Sequence, residues 1–288
     1  MAFRVVPAVL MLSVLHVADF SLNHCIAQDQ EKKRAQSVLV KVASSREAIV
    51  QYVVELSFET DRKAGTGRRI DFFNGKARIY YSRLDDYKVL CLSEGKPETK
   101  SPWAVRGWSR GCIITGTVDA GRVGKGNIKF IDPDKGPSSS VKEQPAFFDP
   151  LSAGFGFCGD FKLATPFSKL LTSFAAEDFM KVKTDKDEIT ISCIDGKVVI
   201  DKSKGYSVIR SEFQDPASTK ESPTTWDIEL QEVDKGVWLP SKVVFECLGE
   251  KTRIQYSWIS VNEPMDVGVK GAQSVAADLG GGFLVVYP

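Results

Sequence analysis

Few residues of this 288-residue chain are grouped for bond-making chemistry. Carboxylates come closest together at Asp85-Asp86, Asp132-Pro133-Asp134 and Glu177-Asp178. Adjacent residues on a strand point to opposite faces, so Asp85 and Asp86 make a poor acid and base for one reaction centre. The Asp-Pro-Asp group sits in loop-like sequence that suits solvation and a weak calcium contact equally well. The two histidines, His16 and His24, both fall at the start of the chain. Once that start is removed, no Ser-His-Asp or Cys-His mechanism and no imidazole ligand for zinc or iron remains. Catalysis, a cofactor and a metal are therefore not expected.

The expectation that the start is removed rests on its pattern. Arg4 supplies a short positive beginning, and Val5 to Leu15 is apolar apart from Pro7 and Ser13. That run is too short to span a bilayer. Cys25-Ile26-Ala27 then places small residues three and one before a cut, so residues 1–27 read as an export signal and Gln28 as the new start. The alternative is a buried N-terminal helix. Leu22-Asn23-His24-Cys25 resembles the acylation box of bacterial lipoproteins, but His24 stands where a small residue is wanted. A lipid anchor at Cys25 is therefore not the expectation. The mature chain is placed in the periplasm or outside the cell, with no stable transmembrane span.

Five cysteines follow the signal: Cys91, Cys112, Cys158, Cys193 and Cys247. An odd number in an exported chain leaves at least one thiol or an intermolecular bond, and none of the spacings is that of a metal motif. Cys91 and Cys193 lie within apolar alternation, where a small buried hydrophobe is the expected role, although one or two disulfides stay possible. Charge adds little. With 38 basic against 37 acidic residues, nucleic acid is not an expected partner.

The elements that must position any site are mostly strands. Residues 30–52 start with helical character, and Ala35, Val38, Leu39 and Val42 share a face; Ser44-Ser45-Arg46-Glu47 either restarts or bends that helix. Tyr52 to Glu59 then alternates with period two, and Asn74-Gly75 reads as a tight hairpin turn before strands at 77–82 and 87–92. Gly111 to Gly116 is a weak strand candidate, and residues 118–141, dominated by glycine, proline, serine and charge, read as a loop insertion. Thr165-Pro166 opens an amphipathic helix carrying Phe167, Leu170, Leu171 and Phe174. Strands return at 188–194, 198–201, 205–213, 225–233, 238–248 and 252–261, with Asp195-Gly196 as a second turn signal. Residues 266–288 form a tail that periodicity does not place. Strands so near in sequence pair antiparallel.

The order of these features resembles the bacterial periplasmic lipoprotein-carrier superfamily, the outer-membrane lipoprotein-sorting proteins and their relatives. The resemblance is carried by DKSKGYSVIRSEF, TTWDIELQEV, GVWLPSKVVFE and TRIQYSWISVNEP, and it covers residues 31–265. Phe148-Asp149-Pro150 and Val261-Asn262-Glu263-Pro264 resemble the variant found in exported planctomycete proteins. The resemblance implies a mainly β, α+β fold. Its strongly curved antiparallel sheet forms an incomplete barrel, closed on the concave side by helices and spanning residues 28–265 as one domain. It also implies a binding or carrier role for a hydrophobic ligand such as an acyl chain, lipid or lipoprotein. The alternative is a non-catalytic cell-envelope scaffold that binds another envelope protein.

On that fold several apolar residues become candidate ligand contacts, each with a structural role as its alternative. In a strand beginning near Leu239, Leu239, Ser241, Val243, Phe245 and Cys247 share the inner face, so Val243 and Phe245 either line a cavity or fill a core. Trp238 packs at the rim or meets ligand. Phe167, Leu170, Leu171 and Phe174 fill the core or form a lid. Phe155 and Phe157, spaced by glycine, are candidates for a gate.

Overall fold

The computed structural model describes residues 8–61, 74–85, 87–94, 103–109, 112–118, 126–131, 150–155, 180–194, 196–214, 223–247, 250–279 and 284–286. Helix α1 spans Ala8–Glu47. Strands β1 (Gln51–Asp61), β2 (Asn74–Ser82), β3 (Tyr87–Glu94), β4 (Trp103–Ser109), β5 (Cys112–Val118) and β6 (Gly126–Ile131) follow. After the segment 150–155 come β7 (Lys181–Asp185), β8 (Glu188–Cys193), β9 (Gly196–Asp201), β10 (Ser207–Phe213), β11 (Thr224–Asp234), β12 (Val237–Cys247) and β13 (Glu250–Val261). Helix α2 (Gly268–Asp278) and β14 (Leu284–Val286) end the described chain.

The fourteen described strands belong to one sheet in the order β14-β6-β5-β4-β3-β2-β1-β13-β12-β11-β10-β9-β8-β7. The ladder is antiparallel except between β14 and β6. The first meander and the second meet where β1 pairs with β13, Phe58 opposite Ile254 and Leu56 opposite Tyr256. The sheet is open, with β14 and β7 as its edges, and it curls around α1 without closing into a barrel. This is the mainly β, incomplete-barrel architecture expected from the sequence.

Strand alternation sends two apolar sets to opposite faces. On the inner face Tyr52, Val54, Leu56 and Phe58 of β1 join Ile189, Ile191, Val198, Trp226, Val243, Phe245 and Ile254 in one cluster with Ala35, Val38, Leu39 and Val42 of α1. Each such side chain contributes about 1.5–3 kcal/mol by leaving water. On the outer face Val53, Tyr80, Val89, Cys91, Val105 and Ile114 pack with Ala272, Val275 and Leu279, so the C-terminal segment that periodicity left unplaced covers the back of the first meander.

Three local readings change. Helix α1 passes through Ser44 and Ser45 without a break, each hydroxyl donating back to a helix carbonyl, Val40 O at 2.9 Å and Val42 O at 2.8 Å. Asn74-Gly75 is not a turn: both residues are in β2, with Gly75 opposite Phe58. A Cβ at Gly75 would lie 2.4 Å from the Ser93 carbonyl oxygen and 2.8 Å from Phe58 Cζ, so glycine serves close approach there and not a positive φ. Within the stretch expected to loop, 126–131 forms β6. The amphipathic helix expected from Thr165, with Phe167, Leu170, Leu171 and Phe174, lies outside the described residues, as does Phe157.

Candidate functional site

The early part of α1 and the far edge of the sheet bound a groove of about 620 Å³, lined by Ala27, Gln28, Glu31, Met180, Lys181, Ser192, Cys193 and Ile194. Its position follows from the helix. From Gln28 to Arg34 every residue is polar, so this stretch holds to the sheet by hydrogen bonds and not by packing. Glu31 Oε2 accepts from the Val182 backbone N–H at 2.8 Å, and Arg34 Nη2 donates to Thr184 Oγ1 at 2.9 Å. Both partners lie on β7, the edge of the sheet among the described residues. Further along, Lys41 Nζ donates to the Tyr206 hydroxyl at 3.1 Å and lies 4.7 Å from its ring centroid.

The opposite wall is the β8–β9 hairpin. Cys193 pairs with Gly196 at the end of the hairpin, and Ile194 follows at its tip. Ile194 is 76% exposed, a large apolar side chain at a hairpin tip where turn chemistry favours glycine, asparagine or aspartate. Cys193 carries a thiol, not a disulfide, and its Sγ donates to the Gly196 carbonyl at 3.4 Å. Met180 is buried and belongs to the inner core, so the groove floor continues into the packed interior. Polar groups stand around it: Gln28 and Glu31 on the helix, Lys181 and Ser192 on the strands.

Of the sequence-predicted site residues, Phe155, Trp238, Val243 and Phe245 are described, and they lie elsewhere. Val243 and Phe245 are 0% and 1% exposed, and Phe245 packs against Trp226 with ring centroids 4.4 Å apart. Phe155, buried, ends the 150–155 turn and joins the same inner cluster. Trp238 is half-buried at the start of β12, opposite Glu232, with Lys204 Nζ 5.7 Å from its ring centroid. The turn before it is shaped as the sequence suggests, Gly236 taking φ +76° with open space around it. None of these lines the groove.

Sequence reasoning missed the groove set. One signal for it was present in the sequence, an isoleucine immediately before the Asp195-Gly196 pair. It also missed Arg46, which extends the buried stripe of α1 and is 3% exposed. Among the described residues no cluster of histidine, cysteine, aspartate and glutamate could hold a metal ion. No described helix is long and apolar enough to cross a membrane.

A second polar group lies on the outer face beneath α2. Arg78 Nη2 donates to Glu55 Oε2 at 2.6 Å and Nη1 to the Asp278 carbonyl at 3.2 Å, while the Tyr80 hydroxyl donates to Asp278 Oδ2 at 3.0 Å. Burial opposes the Arg78 charge, but the bonds to Glu55 and Tyr80 outweigh it and hold the guanidinium protonated. Burial raises the Tyr80 and Cys91 ionisations well above their ordinary values, so both stay neutral. These groups clamp α2 and offer no activated nucleophile.

No family model matches this sequence, and no curated protein does. Solved structures match it at low identity. A LolA superfamily protein from Nitrosomonas europaea is 13% identical, with 82% of this chain and 96% of that one covered and a TM-score of 0.38. A DUF1329 family protein from Desulfovibrio piger is 12% identical, with 86% and 99% covered and a TM-score of 0.43. An outer membrane lipoprotein-sorting protein domain from Vibrio parahaemolyticus is 12% identical, with 84% and 99% covered and a TM-score of 0.41.

Proposed function

We propose that this chain is an exported, non-catalytic binding or carrier protein for a hydrophobic ligand such as an acyl chain, a lipid or a lipoprotein. The observation that supports it is the groove between the start of α1 and the β8–β9 hairpin, with Ile194 held exposed at its mouth. Its volume of about 620 Å³ is in the range of small-molecule sites, and its apolar floor with a polar rim is their usual composition. Each methylene moved from water into such a site contributes about 0.8 kcal/mol, so part of one acyl chain is enough for useful affinity. Trp238 is the described aromatic candidate outside the core, and Phe155, Val243 and Phe245 meet a ligand only if the inner packing yields. Phe157, Phe167, Leu170, Leu171 and Phe174 remain proposed contacts.

A second reading, an envelope scaffold that binds another protein, is favoured by the filled interior beneath Ala35, Val38, Leu39 and Val42. Native mass spectrometry of the protein isolated from a bacterial periplasm, followed by organic extraction, separates the two. A stoichiometric acylated molecule supports the carrier. A bare polypeptide mass, with no uptake of added oleate or phospholipid, sinks it and leaves the scaffold.

A further inference from the structure

The charged side chains that line the groove belong to opposite walls, Glu31 to α1 and Lys181 to the start of β7. They are not in the same state. Glu31 Oε2 accepts from the Val182 N–H at 2.8 Å, and its Oε1 lies 3.9 Å from Arg34 Nη1. Its charge is therefore answered within the fold. The helix cations beside it are committed too, Arg34 donating to Thr184 Oγ1 and Lys33 pairing with Asp29 at 2.7 Å. Lys181 is exposed and, among the described residues, its ammonium group has neither a carboxylate at ion-pair distance nor a hydrogen-bond acceptor.

We propose that the groove takes a single-chain amphiphile with an anionic head, a carboxylate or a phosphate monoester, and that Lys181 holds the head while the chain lies along Met180, Cys193 and Ile194. The proposal rests on the hydrophobic-binding reading and adds to it the charge of the head and the place where it is held.

The division of the lining carries the first half of the argument. Met180, Cys193 and Ile194 offer hydrocarbon and sulfur, and Met180 continues into the inner core, so a chain lying here leaves water along its length. A charged head cannot follow the chain, because burying a charge without a partner costs far more than a methylene contributes. The head stays at the rim, and Lys181 suits that place. Its stem of methylenes extends the apolar lining while its ammonium group remains in water.

Sign carries the second half. With Glu31 answered by an N–H and a guanidinium, the groove's remaining charge without a counterion is positive, and it attracts an anion. An ammonium group acts as a compact point charge, so it accepts a carboxylate and a phosphate alike. At an exposed position this attraction ranks heads on one chain and does not replace the chain.

The test holds the chain constant and varies the head. Decanoate, decyl phosphate, decanol and decyltrimethylammonium are each titrated calorimetrically into the purified protein, below the concentrations at which they aggregate. Both anions should bind about two- to five-fold more tightly than decanol, and decanol more tightly than the cation. Lys181→Gln should bring the anions to the affinity of decanol and leave decanol unchanged. Lys183→Gln, at an exposed lysine of the same strand outside the groove, should leave the preference for anions intact. Equal affinities for all four heads overturn the proposal, as does a loss in Lys181→Gln that decanol shares or an equal loss in Lys183→Gln. Acetate and inorganic phosphate carry such heads without the chain, and binding of either as tight as that of decanoate also overturns it. Decyl phosphate ahead of decanoate assigns the head to a lipid phosphate, and the reverse order to a fatty acid; both uphold the anionic class. Binding of decanol without any preference for an anion removes the role of Lys181 and leaves the hydrophobic-binding reading standing, whereas no binding by any of the four sinks both.

Discussion

From Ala35 to Val42 helix α1 is pressed into the sheet, with Ala35 and Val42 both 0% exposed, while from Ala27 to Glu31 the same helix stands off β7 and β8 by a groove of about 620 Å³. The sheet beneath is continuous, so the difference comes from the helix. Ala35, Val38, Leu39 and Val42 recur at three and four residues and send a continuous apolar stripe down into Leu56, Phe58, Trp226 and Phe245. Gln28 to Arg34 sends down no apolar side chain, and Glu31 and Arg34 hold the edge strand at hydrogen-bond distance instead. Packing is non-directional and fills space; a hydrogen bond fixes a separation and leaves the space beside it unfilled.

The largest effect is expected in the filled part. Phe245→Ala should lower unfolding free energy by about 3–5 kcal/mol, because Phe245 is 1% exposed and packed against Trp226. Urea denaturation measures it, and a loss under about 1 kcal/mol would mean that this end is as loosely packed as the other. Ala35→Leu tests the same end from the opposite direction. Adding three carbons where Ala35 is fully buried should cost about 1–3 kcal/mol through overpacking. If the variant is neutral in urea, unfilled volume extends along the whole helix and the contrast between its ends disappears.

How much of this contrast could be read in advance follows from the kind of interaction at each end. The stripe Ala35, Val38, Leu39 and Val42, the alternation placing Val243 and Phe245 inward, and the Gly236 turn were legible because each is a local pattern with a fixed period or backbone requirement. Gly75 misled because Asn-Gly signals a turn by its backbone freedom, whereas here glycine answers a tertiary demand, the Phe58 ring and the Ser93 carbonyl lying where a side chain would go. The groove was not legible. It is made by residues 27–31, 180–181 and 192–194, far apart in sequence, and by space that no side chain fills. The position of α2 was hidden for a similar reason: its short apolar face finds partners only after the first meander has formed.

A smaller effect is expected where the filled end of α1 is anchored. Tyr206, which receives Lys41, lies in the turn that follows β9, and Asp201 organises that turn by accepting from the Ser203 N–H at 2.9 Å and the Ser203 hydroxyl at 2.7 Å. Burial raises the Asp201 carboxyl, but these bonds and Lys204 outweigh it and hold it below the ordinary value. A depressed carboxyl stabilises the fold above its unfolded value, and this contribution is lost as pH falls from there through the folded one. Asp201→Asn should therefore flatten the acid limb of a plot of urea midpoint against pH while leaving the slope near neutrality unchanged. An unaltered acid limb would remove Asp201 from the anchoring of α1.

The smallest change in stability should carry the largest change in binding. Ile194 is 76% exposed, so Ile194→Asp removes almost no buried area, and its cost in urea should stay within about 0.5 kcal/mol. A hairpin tip accepts aspartate more readily than isoleucine, which makes a small gain as reasonable as a small loss. If the exposed isoleucine is there to meet an apolar ligand, the same variant should lose most of its oleate uptake, because a carboxylate at the mouth repels the fatty acid head and offers its chain no apolar contact. Phe245→Ala gives the reverse, a less stable fold with the groove lining intact. A fluorescent fatty acid titrated into both variants distinguishes the ends of α1 by function. Equal affinities would show that Ile194 does not meet the ligand and that the groove is space left over from anchoring the edge strand.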